Sequence, residues 1–252
     1  MTEDTLHNRR IHVVGASRGL GRGVAIALAH AGARVLAIGR SADALAQLRA
    51  EADVDVRVGD ATDPTFVCNL LEDDAPDGVV LVAGARPALQ PIDQYDWEAF
   101  SAPWQTDVKA TLLWLQHALR RSWRDHGRVI VFSSGAAMFG SPLSGGYAGA
   151  KQTQRFLCKY AAGEARMREL PLTIQCLLPQ LNPNTALGLA GVRAYAQRAG
   201  EDPAAFVHKR FGDVPLSPAI AGEQVVRLLV DPTLQSTPEF LLGGRGLKAI
   251  EG

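Results

Sequence analysis

Tyr147 and Lys151 stand four residues apart in the run Gly146-Tyr147-Ala148-Gly149-Ala150-Lys151, and Ser134 lies thirteen residues before the tyrosine. A spacing of four puts a phenol and an ammonium on one face of a helix. A free phenol titrates near ~10, so proton exchange at neutral pH needs a neighbouring cation. An ammonium at ~4 Å supplies about 4 kcal/mol at an effective dielectric near ~20, enough to make the phenol an acid–base group. With a serine hydroxyl added, such a set can polarise a carbonyl and deliver a proton to it. The bland alternative is an ordinary exposed Tyr-Lys pair on a helix, which this spacing alone usually means.

A second motif weighs against that alternative. Gly15-Ala16-Ser17-Arg18-Gly19-Leu20-Gly21 lies between a β-branched run, Ile11 to Val14, and an alanine-rich helical run, Leu20 to Ala31. Helix N-termini carry unpaired N–H groups and partial positive charge, which suits phosphate. Glycine is needed where backbone must turn tightly and approach a pyrophosphate. The G-x-x-x-G-x-G spacing is either a plain tight turn or a dinucleotide cradle, and the strand–loop–helix context favours the cradle. An acidic residue ending the second strand would bind a ribose 2′-hydroxyl and repel a 2′-phosphate. Here that end reads Ile38-Gly39-Arg40-Ser41, with no carboxylate. Arg18 and Arg40 are either solvated surface charges or a paired-donor grip on a 2′-phosphate. The missing acid favours the grip, and with it NADP(H); Ser17, Leu20 and Ser41 belong to the same contact set.

The elements that must position these groups alternate along the chain. Strands are expected at Ile11 to Val14, Arg34 to Ile38, Val54 to Val58, Gly78 to Val82, Arg128 to Phe132, Leu172 to Leu178 and Glu239 to Leu242. Helices are expected at Leu20 to Ala31, Ala42 to Ala52 (capped by Ser41), Trp97 to Arg124 with a break at Pro103, Tyr147 to Arg168 and Ala219 to Val230. Continuous apolar strands suit a parallel sheet covered on both faces. The expected fold is therefore α/β: a Rossmann-type doubly wound sheet of about seven strands, one domain over residues 1–252. The stretch from Gln180 to Leu216 reads as irregular and too long for an ordinary connection, so it is expected to be a substrate lid.

Bulk properties set the class of partner. The chain has 252 residues, 26 basic and 26 acidic, and 47% hydrophobic composition. Balanced charge gives no reason to expect nucleic acid or an anionic membrane as partner. Cys68, Cys158 and Cys176 are scattered in apolar segments without a CxxC pair, which reads as free thiols in a reducing, cytoplasmic setting with no metal site. Met1-Thr2-Glu3-Asp4 is polar and resembles no secretion signal, and no stretch reaches the ~20 apolar residues of a membrane span.

With these residues in view, the chain resembles the short-chain dehydrogenase/reductase family, in its common one-domain branch, from about Asn8 to Gly244. The resemblance rests on Gly15-x-x-x-Gly19-x-Gly21, on Arg128-Val129-Ile130-Val131-Phe132-Ser133-Ser134, and on Tyr147-x-x-x-Lys151. It implies that Tyr147 protonates a carbonyl oxygen as hydride leaves the nicotinamide, that Ser134 steadies that oxygen, and that Lys151 also holds the nicotinamide ribose. Ser133 is the rival serine. Gly59-Asp60-Ala61-Thr62-Asp63 resembles the family's turn beside the adenine, so Asp60 and Ala61 join the cofactor set with Ala83, Gly84, Pro179 and Asn182. The implied activity is NADPH-dependent reduction of a ketone or aldehyde, reversible to alcohol oxidation. Reduction of C=N or activated C=C, and a silent NADP(H)-binding regulatory protein, are the alternatives. The resemblance also implies a homodimer or homotetramer through the two long helices, with Leu112, Leu113, Leu115 and Phe156 as contributors or as core.

Four positions depart from the family pattern. Val82 stands where an asparagine is usual, two residues before Gly84. Asp107 stands in place of a catalytic asparagine whose backbone carbonyl usually holds a water next to the lysine; its own carbonyl could keep that relay, while its carboxylate adds negative charge near Lys151. Pro179-Gln180 replaces Pro-Gly, so the Gln180 side chain is expected close to the nicotinamide or substrate. Leu242-Gly243-Gly244 lacks the usual aspartate. For the substrate, Gly135, Met138, Phe139, Leu143, Gln180, Leu187, Leu189 and Tyr195 form a mostly apolar candidate set that suits a small hydrophobic ketone and equally suits packing. Arg86 faces either an anionic substrate or solvent.

Overall fold

The computed structural model describes residues 6–123, 125–212 and 214–250. The N-terminal Met1-Thr2-Glu3-Asp4 and Arg124, the expected end of a long helix, lie outside the described residues.

Strands of four to eight residues, most of them apolar runs joined through helices, build one eight-stranded sheet in the order β3-β2-β1-β4-β5-β6-β7-β8. The strands are β1 (Arg10–Val14), β2 (Arg34–Gly39), β3 (Asp55–Val58), β4 (Gly78–Leu81), β5 (Gly127–Phe132), β6 (Leu172–Pro179), β7 (Glu239–Gly243) and β8 (Gly246–Ala249). Each neighbouring pair is parallel except β7–β8, which is antiparallel. The fold class is the expected one, with one strand more. β8 has no apolar run, and the tight turn after Gly243 rather than hydrophobicity pairs it to β7.

Helices cover both faces. α1 (Gly19–His30), α2 (Ala42–Glu51) and α10 (Pro218–Val230) pack on one side, around Val13, Leu28, Leu45, Ile130, Phe132 and Val225. α3 (Pro64–Asp73), α5 (Lys109–Arg120) and α7 (Gly145–Met167) pack on the other, around Val14, Ile38, Trp114, Val129, Cys158 and Leu178. Neighbouring strand residues such as Val13 and Val14 feed opposite cores, as the period of two requires.

Two expectations need correction. The helical zone from Trp97 is not broken at Pro103: α4 (Trp97–Pro103) runs into a π-helical turn, Trp104–Val108, and then into α5. Proline removes an N–H, and the wider turn takes up the mismatch while the backbone stays helical. The stretch from Gln180 to Leu216 is not irregular. It contains α8 (Ala186–Ala199), with Thr185 Oγ1 accepting from the Gly188 N–H, and α9 (Pro203–Phe211), with Asp202 accepting from the Ala204 and Ala205 N–H groups. Proline at the first turn of α9 and left-handed Gly200 after α8 punctuate the pair. A short helix α6 (Ala136–Phe139) precedes α7.

Candidate active site

The glycine loop leaves β1 and enters α1 at the point where the strand order reverses, between β1 and β4. In an open parallel sheet this crevice is where ligands bind. Gly15 has φ +91°, and a Cβ there would lie 2.5 Å from the Ala83 nitrogen, so the β1 and β4 ends close up only because this residue is glycine. α1 has no side-chain cap at Arg18 and no acid in its first turn. By contrast α2, α3, α8, α9 and α10 are capped by Ser41, Asp63, Thr185, Asp202 and Ser217. The first N–H groups of α1 therefore face the crevice without an internal acceptor, which fits a phosphate.

A cavity of about 1920 Å³ runs from this loop to α8 and α9. Ligand sites for one drug-sized molecule span roughly 300–1,000 Å³, so the space suits a dinucleotide with a small substrate beside it. Gly15, Ser17, Arg18, Gly19, Leu20, Gly21, Arg40, Ser41, Asp60, Ala61, Ala83, Gly84, Pro179 and Asn182 all line it. Arg18, Arg40 and Arg86 sit close enough to repel: burial, then the Arg86 charge, then the Arg40 charge push the Arg18 guanidinium below its ordinary value. Ser41 Oγ accepts from the Ala44 N–H at 3.3 Å and keeps its own hydrogen to donate. Asp60 is turned to its own loop, where Oδ1 accepts from Thr62 N–H at 2.8 Å and Thr62 Oγ1 at 2.9 Å. Those bonds, the backbone one first, hold its carboxyl below the usual range against the opposing effect of burial.

Ser134, Tyr147, Lys151 and Asp107 line the same cavity. Ser133 is buried and donates to the Lys151 carbonyl at 2.8 Å, tying the end of β5 to α7. Ser134 is only half-buried; its Oγ accepts from Ala136 N–H at 3.1 Å and its hydroxyl hydrogen stays available. Of the two serines, Ser134 is thus the one that can act on a ligand. Lys151 Nζ lies 5.4 Å from the Tyr147 ring centre and donates to the Phe132 carbonyl at 3.2 Å.

Asp107 is fully buried in the π-helical turn and meets Lys151 Nζ at 2.9 Å through Oδ2, an ion pair outside hydrogen-bond geometry. Burial works to lower the Lys151 ammonium, but Asp107, with Tyr147 and Cys176, outweighs it and the net shift is upward. Asp107 Oδ1 accepts from Ala85 N–H at 2.6 Å and from Thr106 Oγ1 at 2.8 Å. Its backbone carbonyl, the expected seat of a relay water, accepts from Thr111 Oγ1 at 2.8 Å and Gln154 Nε2 at 3.1 Å, which uses both lone pairs. Glycines on α7 bring this turn in: a Cβ at Gly146 would lie 2.1 Å from the Phe100 carbonyl oxygen, and one at Gly149 2.7 Å from the Trp104 ring.

The substrate end is only partly as expected. Gly135, Phe139, Gln180, Leu187 and Tyr195 line the cavity; Met138, Leu143 and Leu189 do not. On the single turn of α6 both Met138 and Phe139 are exposed and only Phe139 reaches the cavity lining, while Leu143 is buried. The Gln180 side chain folds against Gly243, where a Cβ would come within 2.6 Å of Oε1. The departure at Gln180 thus rests on a glycine that keeps the family pattern, since Gly243 makes the niche that Gln180 fills. Tyr195 OH lies 2.5 Å from Ser141 Oγ and 3.1 Å from Ser144 Oγ, joining α8 to the segment before Tyr147. Val192, Ala196 and Phe206 give α8 and α9 a small core of their own. Asn182 is buried, with Oδ1 accepting from Asn184 N–H at 2.8 Å and Nδ2 lacking a partner among the described residues. Sequence reasoning missed Thr106, Thr111 and Gln154: the first two bond Asp107 from within its own helical stretch, and Gln154 reaches it from α7.

This strand order, glycine loop and Ser-Tyr-Lys set define a nicotinamide-dependent oxidoreductase of the short chain dehydrogenase family, to which the chain belongs: the family model "short chain dehydrogenase" matches residues 9–185. A short-chain type dehydrogenase/reductase of Sinorhizobium fredii is 27% identical over 186 residues, covering 72% of this chain and 74% of that one. In fold the chain is similar to a short chain dehydrogenase from Shigella flexneri 2a complexed with NADP, at 22% identity and TM-score 0.77 over 95% of this chain and 98% of that one. It is similar in the same way to an NAD+-bound xylitol dehydrogenase, at 19% identity and TM-score 0.82 over 95% of this chain and 99% of that one.

Proposed function

We propose that this chain is an NADPH-dependent reductase that converts a ketone or aldehyde of a small, hydrophobic substrate to an alcohol, reversibly. The observation that carries the reading is the shared cavity: a half-buried Ser134, Tyr147 with Lys151 beside its ring, and an uncapped helix N-terminus all open on one space. The bound nicotinamide supplies the hydride. Tyr147 donates its phenolic proton to the carbonyl oxygen, and Ser134 donates a hydrogen bond to that oxygen as charge develops there. Carbon gains hydride, oxygen gains the proton, and Tyr147 is reprotonated from solvent. Lys151 holds the ribose.

Preference for the phosphorylated cofactor rests on Arg18 and Arg40, which form no ion pair given by the described geometry and face a strand end without a carboxylate. Residues 180–216 form the substrate lid of a single domain, supported by the separate small core of α8 and α9. A cytoplasmic homodimer or homotetramer is supported by three free cysteines and by exposed Leu112 and Phe156 on the long helices. Among the described residues no helix is long and apolar enough to cross a membrane. The test is NADPH oxidation against a panel of aldehydes, ketones, cyclic imines and enones. Turnover of the carbonyl compounds alone is the expected result. Selective turnover of imines or enones would move the reading to those bonds, and binding of NADPH without any turnover would make the chain a silent cofactor-binding protein.

A further inference from the structure

The Asp107 carboxylate touches no reacting atom in the proposed chemistry, yet it is fully buried against the ammonium on which the phenol depends. Four groups face Lys151: Tyr147 on its own helix, Asp107 from the π-helical turn, the Phe132 carbonyl from β5 and Cys176 from β6. Asp107 is the one carboxylate within ion-pair distance of it among the described residues. Its position is fixed from three sides by Ala85 N–H, by Thr106 Oγ1, and by the Thr111 and Gln154 bonds to its carbonyl. Gly84 leaves it room, since a Cβ there would come within 2.9 Å of Oδ2.

An isolated ammonium near a phenol stabilises the phenolate. An ammonium with a carboxylate 2.9 Å away acts on that phenol as a dipole, whose influence falls off faster with distance than that of a single charge. The carboxylate thereby opposes the support that the ammonium gives the phenolate. The two directions of the reaction draw on the two states of Tyr147. Reduction needs the phenol, which gives its proton to the carbonyl oxygen as carbon receives hydride. Oxidation needs the phenolate, which takes the alcohol O–H proton as hydride passes to NADP+.

We propose that Asp107 is a positioning residue that neutralises Lys151 and so holds the resting site in its proton-donating form at neutral pH. The inference rests on the reading of Ser134, Tyr147 and Lys151 as the reacting set, but its test needs no substrate. The phenolate absorbance of Tyr147 is isolated by subtracting the titration of Tyr147→Phe from that of the parent. The same difference is measured in the Asp107→Asn background, where the amide oxygen can keep the Ala85 and Thr106 bonds; Asp107→Ser serves as a second neutral variant should the first fail to fold. The Tyr147-specific step is expected to move to lower pH by about one unit or more in the neutral variant. A step that stays in place or moves upward in a folded neutral variant overturns the proposal. A shift as expected in a protein that reduces no carbonyl of the panel would refute the proposed function and leave this inference standing.

Discussion

Ser133 and Ser134 differ by one position, and that position decides which can meet a ligand. Ser133 spends its hydroxyl on the Lys151 carbonyl, while Ser134 keeps a hydrogen to donate into the cavity. The pair was separable in the sequence only by spacing to Tyr147; burial supplies the physical reason. Charge could be read in the same way. Arg18 and Arg40 flank a strand end with no acid, and the proposed preference for NADPH requires of each a charge-assisted bond to the 2′-phosphate. Such bonds contribute about 1.5–3 kcal/mol. Replacing either by alanine should weaken NADPH binding roughly ten- to a hundred-fold in calorimetry and leave NADH binding nearly unchanged. Asp107 was legible as a charge near Lys151. The saturation of its carbonyl by Thr111 and Gln154 was not, because Thr111 bonds back only where the helix runs on past Pro103, and Gln154 lies 47 residues away and meets it only when α7 packs on this stretch.

Segments of several residues carry the positioning. The 97–108 segment reaches Lys151 because Gly146 and Gly149 leave α7 bare where Phe100 and Trp104 lie against it. A glycine-flanked tyrosine was visible in the sequence; the π-helical turn was not, since residue types do not set where a helix widens after a proline. The two helices between Gln180 and Leu216 escaped detection for another reason. Their apolar residues form a small core of their own, and a stretch this short shows weak periodicity. Phe139 lines the cavity and its neighbour Met138 on α6 does not. The Gln180–Gly243 niche yields a prediction. Gly243→Ala places a methyl where Oε1 now sits, and the amide, being the flexible end of its side chain, can swing away. Stability should therefore fall by less than about 1 kcal/mol in thermal melts, a smaller loss than for rigid overpacking. KM for the carbonyl substrate should rise as the Gln180 amide, already on the cavity wall, is pushed further into the cavity, and Gln180→Gly in the same chain should restore it.

Across the whole molecule, stability and chemistry rest on different parts of the sheet. Parallel strands and two covering layers were legible because continuous apolar runs allow little else; the strand order with its β1/β4 switch came only from the structure. β8 was not, lacking such a run. His12 shows the stability side. It is fully buried in β1, with Nε2 3.0 Å from Asp74 Oδ2, and neither residue lines the cavity. Burial pushes its pKa down from 6.5 to about 4, against the opposing pull of Asp74. A depressed folded-state value means that the unfolded chain binds the proton more readily. The stability conferred by neutral His12 is complete above pH 6.5 and is lost as pH falls toward 4. The loss is roughly 3 kcal/mol when complete. Melting temperature followed from pH 7 to pH 4 should fall more steeply in the parent than in His12→Gln. The chemical claim is tested on the other side of the molecule, by NADPH oxidation with a turned-over aldehyde or ketone in the parent and in Tyr147→Phe, with NADPH affinity measured alongside. The account predicts a fall in turnover of about 10²-fold or more with cofactor affinity retained; a Tyr147→Phe variant that binds NADPH and turns over like the parent would contradict it.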